Sequence, residues 1–254
     1  MIKKKSPAGA MPPALTGLRG YFDQSRDLFT SLVLVLPLFV LYQLGVMMTG
    51  GIRNGVDFMT DALWWASGAS LTNYLLANVL ILLVFGVLLF VLRKKGSFHP
   101  RIWPWVVAES TLYAFFFGGV VIGLMQALGL DVLLSSGAGG VGELSGLNAW
   151  VLSIGAGLYE ELVFRLFMMG GLFWLGVRLL GWPRLAAALA ALLISSLAFS
   201  AVHHLGSLGE PFVLGTFMFR FVAGILLAAI FYLRGFAVAV YTHAIYDVIV
   251  LVFR

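Results

Sequence analysis

The sequence contains no cysteine in its 254 residues. Disulfides, thiolate nucleophiles and cysteine metal ligands are excluded at once. Charge is scarce too: 11% of the residues are Asp, Glu, Lys or Arg, against about 25% in an ordinary soluble domain. So few charges cannot cover a globular surface, which leaves lipid as the outer solvent. Hydrophobic residues make up 61% of the chain, and mean hydropathy is +1.01. In lipid every backbone polar group must be paired within the protein, so only helices or a closed barrel can span. The apolar runs last about 20 residues and do not alternate, which predicts helices. A net charge of +5 would suit nucleic acid. However, the cations lie at the ends of apolar runs, as membrane topology requires, and no nucleic-acid partner is expected.

The predicted class is all-α: a polytopic transmembrane helical bundle of seven or eight membrane helices, with the lipid bilayer as its surroundings. Residues 1–27 read as a cytoplasmic or interfacial N-terminal segment, 28–146 as N-terminal membrane helices and 147–254 as a C-terminal membrane core. Lys3, Lys4 and Lys5 resemble a signal-peptide start, but the first apolar run begins only near Leu28 and is too long for one. Apolar spans are predicted at 28–48, 71–92, 102–130, 147–177, 185–203, 212–233 and 235–253, with an interfacial helix near Trp64 and Trp65. The segment 147–177 would be about 46 Å long as one straight helix. A tilt, or a break near Gly170 and Gly171, is expected there. Twelve Lys and Arg, with Arg234 in the last tight loop among them, fall in the segments assigned to one side, and only Arg53 and Arg254 in those assigned to the other. This predicts a plasma-membrane protein with a cytoplasmic N-terminus, the loop 131–146 outside and the C-terminus outside.

Ionisable residues inside these spans are the functional signal, because each costs several kcal/mol if left unpaired. They are Glu109, Glu160, Glu161, Arg165, Arg220, His243 and Asp247, with His203 and His204 at a span end. Glu161 and Arg165 stand four apart with the acid first, the favourable orientation for a helical ion pair. Glu160 then points about 100° away on an α-helix and is left without a local partner, which suits a general base. His243 and Asp247, also four apart, share a face: either Asp247 orients His243 or both hold a metal or a water. His203 and His204 cannot share a face, so one of them is the functional histidine. A structural Glu–Arg staple and a packing hydrogen bond between His243 and Asp247 are the alternatives. Glu160, His203 and His243 also match a common catalytic zinc set that leaves a position open for water. The cofactor expectation is accordingly none, or a divalent metal such as zinc. Glu109 and Arg220 are expected to pair with each other or with the site.

These residues resemble the motifs of the CPBP family, which includes the type II CAAX prenyl endopeptidases and bacteriocin-processing enzymes. Glu160, Glu161 and Arg165 match Glu-Glu-x-x-x-Arg; Phe199 and His203 match Phe-x-x-x-His; His243 and Asp247 match a His followed four residues later by Asn or a related residue. The resemblance covers about 147–250. It implies an intramembrane endopeptidase in which Glu160 activates the attacking water with help from His203. His243 and residue 247 would stabilise the oxyanion or bind the water, and Glu161 and Arg165 would shape the site. Asp247 departs from the pattern, since an ionised Asp cannot donate to an oxyanion as Asn can. It reads better as an orienter of His243, a metal-shell carboxylate or a protonated donor. The expected partner is a membrane-anchored or exported peptide or protein, cut towards the outer leaflet. Two other classes compete: a non-catalytic membrane protein that binds a peptide or protein through the same polar cavity, and a proton-coupled carrier. The carrier ranks last because the sequence shows no internal repeat or paired broken helices.

Overall fold

The computed structural model describes residues 18–49, 68, 70–93, 100–130, 146–205 and 210–253. The regular structure among them is all helical. The elements are α1 (Leu18–Arg26), α2 (Leu28–Met48), α3 (Leu71–Leu92), a short 3-10 turn (Pro100–Ile102) leading into α4 (Trp103–Ala127), α5 (Gly146–Glu160), a π-helical segment (Glu161–Met169), α6 (Gly170–Arg178), α7 (Arg184–Val202), α8 (Leu214–Arg234) and α9 (Phe236–Val252). Lys3 to Lys5, Arg53, Trp64 and Trp65, Lys94 and Lys95, the run from Ser135 to Gly140, and Arg254 lie outside the described residues.

Among the described residues, four helical segments are long and apolar enough to cross a membrane: Leu28–Met48, Pro100–Ala127, Arg184–Val202 and Leu214–Arg234. Their outward residues are the large hydrophobics that a soluble protein would hide. Phe115 is 73% exposed and Leu185 70%, as lipid-facing side chains should be.

Helix starts follow local chemistry. Asp27 opens α2 by accepting from the Thr30 amide at 2.8 Å, an N-cap that satisfies one orphan donor. Gly235 separates α8 from α9 with φ of +97°, a conformation open to glycine. A Cβ there would stand 2.5 Å from the Ser25 carbonyl oxygen. The α8–α9 elbow therefore fits against the end of α1 only with a glycine at the corner.

The innermost helix is α9. Every residue from Phe236 to Ala244 is buried, which explains why the first half of this helix of 17 residues, about 26 Å long at 1.5 Å per residue, is almost wholly apolar. It packs between α5, α4 and α2, and its core partners include Tyr42, Val106, Val151, Leu158 and Tyr159. The approach to α5 is closest at Gly157, where a Cβ would come within 2.5 Å of the Ala244 backbone nitrogen. That contact lies one turn before Glu160 and Glu161 and next to His243, so it sets their separation.

The long segment predicted at 147–177 does not break at Gly170 and Gly171. Helix continues from Gly146 to Arg178, and the irregularity is π winding over Glu161–Met169. The Gly170 amide reaches back five residues to the Arg165 carbonyl. Such wide turns concentrate at functional sites. Glu160 and Glu161, at the start of this segment, are both buried, at 2% and 0% exposure.

Gly157→Val should force α5 off α9 and destabilise the purified protein by about 1–3 kcal/mol, the usual range for overpacking. Denaturant unfolding in detergent micelles measures it; a wild-type midpoint would show that the close approach is not required.

Candidate active site

Glu161 is the centre of the polar interior. Its Oε2 lies 3.2 Å from Arg165 Nε, with neither side chain exposed, so the expected i,i+4 ion pair forms. Its Oε1 lies 2.8 Å from His243 Nδ1. A carboxylate paired with a guanidinium is an acceptor, so Nδ1–H donates to it. This fixes the ring and turns Nε2 towards Glu160 Oε2 at 3.8 Å and Asp247 Oδ2 at 3.5 Å. Glu160, expected to stand apart from local partners, thus faces His243. Asp247 is about a fifth exposed, at 22%. The shortest contact to His243 comes from Glu161 rather than from Asp247, the partner that helical spacing offered.

His203 caps α7 and is 7% exposed. Its Nδ1 stands 2.7 Å from the Phe199 carbonyl oxygen. A carbonyl only accepts, so Nδ1 carries the proton and Nε2 has the lone pair. Phe199 joins the two histidines. Its ring centroid is 5.0 Å from that of His203 and 6.0 Å from that of His243, and the Arg165 guanidinium stacks 4.4 Å above it. In the sequence Phe199 was a motif letter; in the fold it is the apolar wall that Arg165, His203 and His243 share. An aromatic face under a desolvated guanidinium contributes about 2 kcal/mol.

His204 does not share that face. Its Nδ1 is 3.2 Å from the Glu210 carbonyl oxygen, and its ring packs on Phe212 and Phe217. Among the described residues, no group of three or more His, Asp or Glu is arranged to hold a metal ion. The chemistry proposed for Glu160, His203 and His243 uses no metal.

Glu109 and Arg220 do not pair with each other. Arg220 binds Glu210 through two hydrogen bonds, at 2.9 and 2.7 Å, and these hold the Glu210 carboxyl below the usual range. The Glu210 amide donates to the His203 carbonyl at 2.9 Å. One residue thus ties α8 to the end of α7, beside His203. Arg220 is also close enough to interact electrostatically with His203 and Asp247. The sequence reading passed over Glu210, although the ten-residue spacing to an intramembrane arginine was the available signal. Glu109 instead binds Arg234, with Nε to Oε1 at 2.6 Å and Nη2 to Oε2 at 2.9 Å. The hydroxyls of Tyr21 and Tyr113 also donate to it. Arg234, counted in the sequence as a loop cation, is 7% exposed and serves as a buried clamp.

Paired acids, two histidines and an arginine enclosed by apolar helices define a class: membrane proteins with a polar reaction or binding site inside the bundle. Comparison with known families adds a match over part of the chain. Residues 143–249 match the model of the Rce1-like type II CAAX prenyl endopeptidases, and all seven motif residues from Glu160 to Asp247 lie within the match. This is the family group that the motifs resembled, and it is one of proteases. No curated protein and no solved structure matches the chain.

Arg165→Met should destabilise the protein by about 3–5 kcal/mol, because it strands the Glu161 carboxylate in the interior. Arg165→Lys keeps the charge but loses the flat stack on Phe199, and should cost less. Unfolding midpoints of the two variants in micelles check the order.

Proposed function

We propose that the protein is an intramembrane endopeptidase that hydrolyses a peptide bond of a membrane-anchored or exported protein or peptide. The observation that carries this reading is the buried Glu160 carboxylate facing the Nε2 edge of a histidine whose other nitrogen is fixed by Glu161. That is the layout of a general base beside an oriented imidazole.

In this mechanism Glu160 takes a proton from a water held between it and His243. The resulting hydroxide attacks the scissile carbonyl carbon. The tetrahedral oxyanion takes a hydrogen bond from the protonated Nε2 of His243, and the water's proton passes from Glu160 to the leaving amine as the C–N bond breaks. His203 offers its Nε2 lone pair to position the water or the leaving amine. Asp247, which as a carboxylate has no proton to donate, lies 3.5 Å from the same Nε2 and stabilises the imidazolium through its charge. Glu161 and Arg165 keep the imidazole in register. The apolar enclosure strengthens each of these interactions relative to water.

The topology proposed with this reading has seven or eight membrane helices, an N-terminal half of membrane helices (28–146) and a catalytic core (147–254). The N-terminus is cytoplasmic in the plasma membrane, and His203 lies towards the opposite face. The Lys and Arg distribution supports that orientation.

A comparison of peptide termini in membranes and medium tests the function. One strain carries the wild-type protein and the other an equal amount of Glu160→Gln. New termini are expected only with wild type, at least about a hundredfold more abundant, the lower range for losing a general base. Termini formed equally by Glu160→Gln would refute the role of Glu160. Absence of new termini from both strains, with loss of a cellular phenotype only on changing loop residues, would favour a peptide-binding role.

A further inference from the structure

We propose that the protein holds one acyl chain of an anionic phospholipid in a cavity behind the π segment, with Arg26 on the lipid phosphate. The cavity has a volume of about 330 Å³ and lies between α2, the π segment, α6 and the α8–α9 elbow. Its walls are mainly apolar and include Leu166, Met169, Gly170, Phe173 and Phe231. Its rim includes Leu28 and Tyr232, which are 39% and 51% exposed.

The occupant follows from this setting. An apolar cavity offers water too few polar partners to hold it. The rim lies on the surface that the hydropathy assigns to lipid, so what reaches the cavity is a hydrocarbon tail. Arg26 supplies the charge complement. It is exposed at the mouth, and its Nε–H donates to the Leu233 carbonyl at 2.5 Å. That bond fixes the side chain across the elbow and uses one of the several guanidinium donors, leaving the planar terminal pair for a phosphate. Gly170 makes the room: a Cβ there would meet only the Arg165 carbonyl oxygen within contact range, at 3.7 Å. Leu166 and Met169 belong to the same π segment as Glu161 and Arg165, so a bound tail packs directly on the element that carries the polar cluster.

The test uses the full-length protein in detergent, mixed with equal phosphatidylglycerol and phosphatidylcholine, and reads retained lipid by native mass spectrometry. Wild type should retain phosphatidylglycerol about fivefold over phosphatidylcholine, the factor from roughly 1 kcal/mol per basic residue at an anionic surface. Arg26→Gln should remove the preference while keeping tail binding. Gly170→Leu fills the cavity and should cut retention of both lipids about tenfold or more. Its helical position favours leucine over glycine, and Arg26→Gln, on an exposed side chain, tests the headgroup contact independently of packing. Equal retention of the two lipids by wild type, or undiminished retention by Gly170→Leu, would overturn the proposal. Retention of neither lipid would overturn it as well and point to a protein segment as the occupant.

Discussion

The polar interior depends on one carboxylate. Glu161 is fully buried and is shared between Arg165 on its own segment and His243 on α9. Taking any of these groups out of water is expensive, and a charge left alone in an apolar interior is strongly destabilising. The shared carboxylate joins the three into one network. It also links the π segment to α9, and it fixes which edge of the imidazole faces Glu160. The close approach at Gly157 and the π winding after Glu160 provide the geometry that this sharing requires.

A second network stands apart from the first and does different work. Arg234, Glu109, Tyr21 and Tyr113 join α1, α4 and the end of α8, and the Arg234 guanidinium also lies 4.0 Å from the Phe22 ring centre. Arg26 reaches the Leu233 carbonyl beside it. Together they press α1 on the elbow at Gly235. The Glu210–Arg220 pair holds the loop next to His203. Among the described residues, these ion pairs lie either in the polar cluster or at the joints between helices.

Much of this was legible in the sequence, for physical reasons. Apolar runs of bilayer length gave the boundaries of α2 and α3 closely, since lipid tolerates few charges within a span. The pairing of Glu161 with Arg165 followed from helical spacing. Partners from distant segments were not legible. Spacing favoured Asp247 as the partner of His243, whereas Glu161 takes the short contact because the tertiary approach at Gly157 brings α5 to α9. Gly170 and Gly171 suggested a break, yet glycine permits a bend without requiring one, and the π turn came one turn earlier. Arg234 looked like a loop cation because nothing local shows that Glu109, more than a hundred residues away, folds against it.

The most direct measurement is a double-mutant cycle on Glu161→Gln and His243→Gln, read as unfolding free energy of the purified protein in micelles. A shared carboxylate predicts strong coupling, with the double variant losing less stability than the two single losses combined by about 1 kcal/mol or more, within the range for directly contacting residues. Additive losses would contradict the sharing of Glu161 between Arg165 and His243, and with it the orientation on which the proposed chemistry rests.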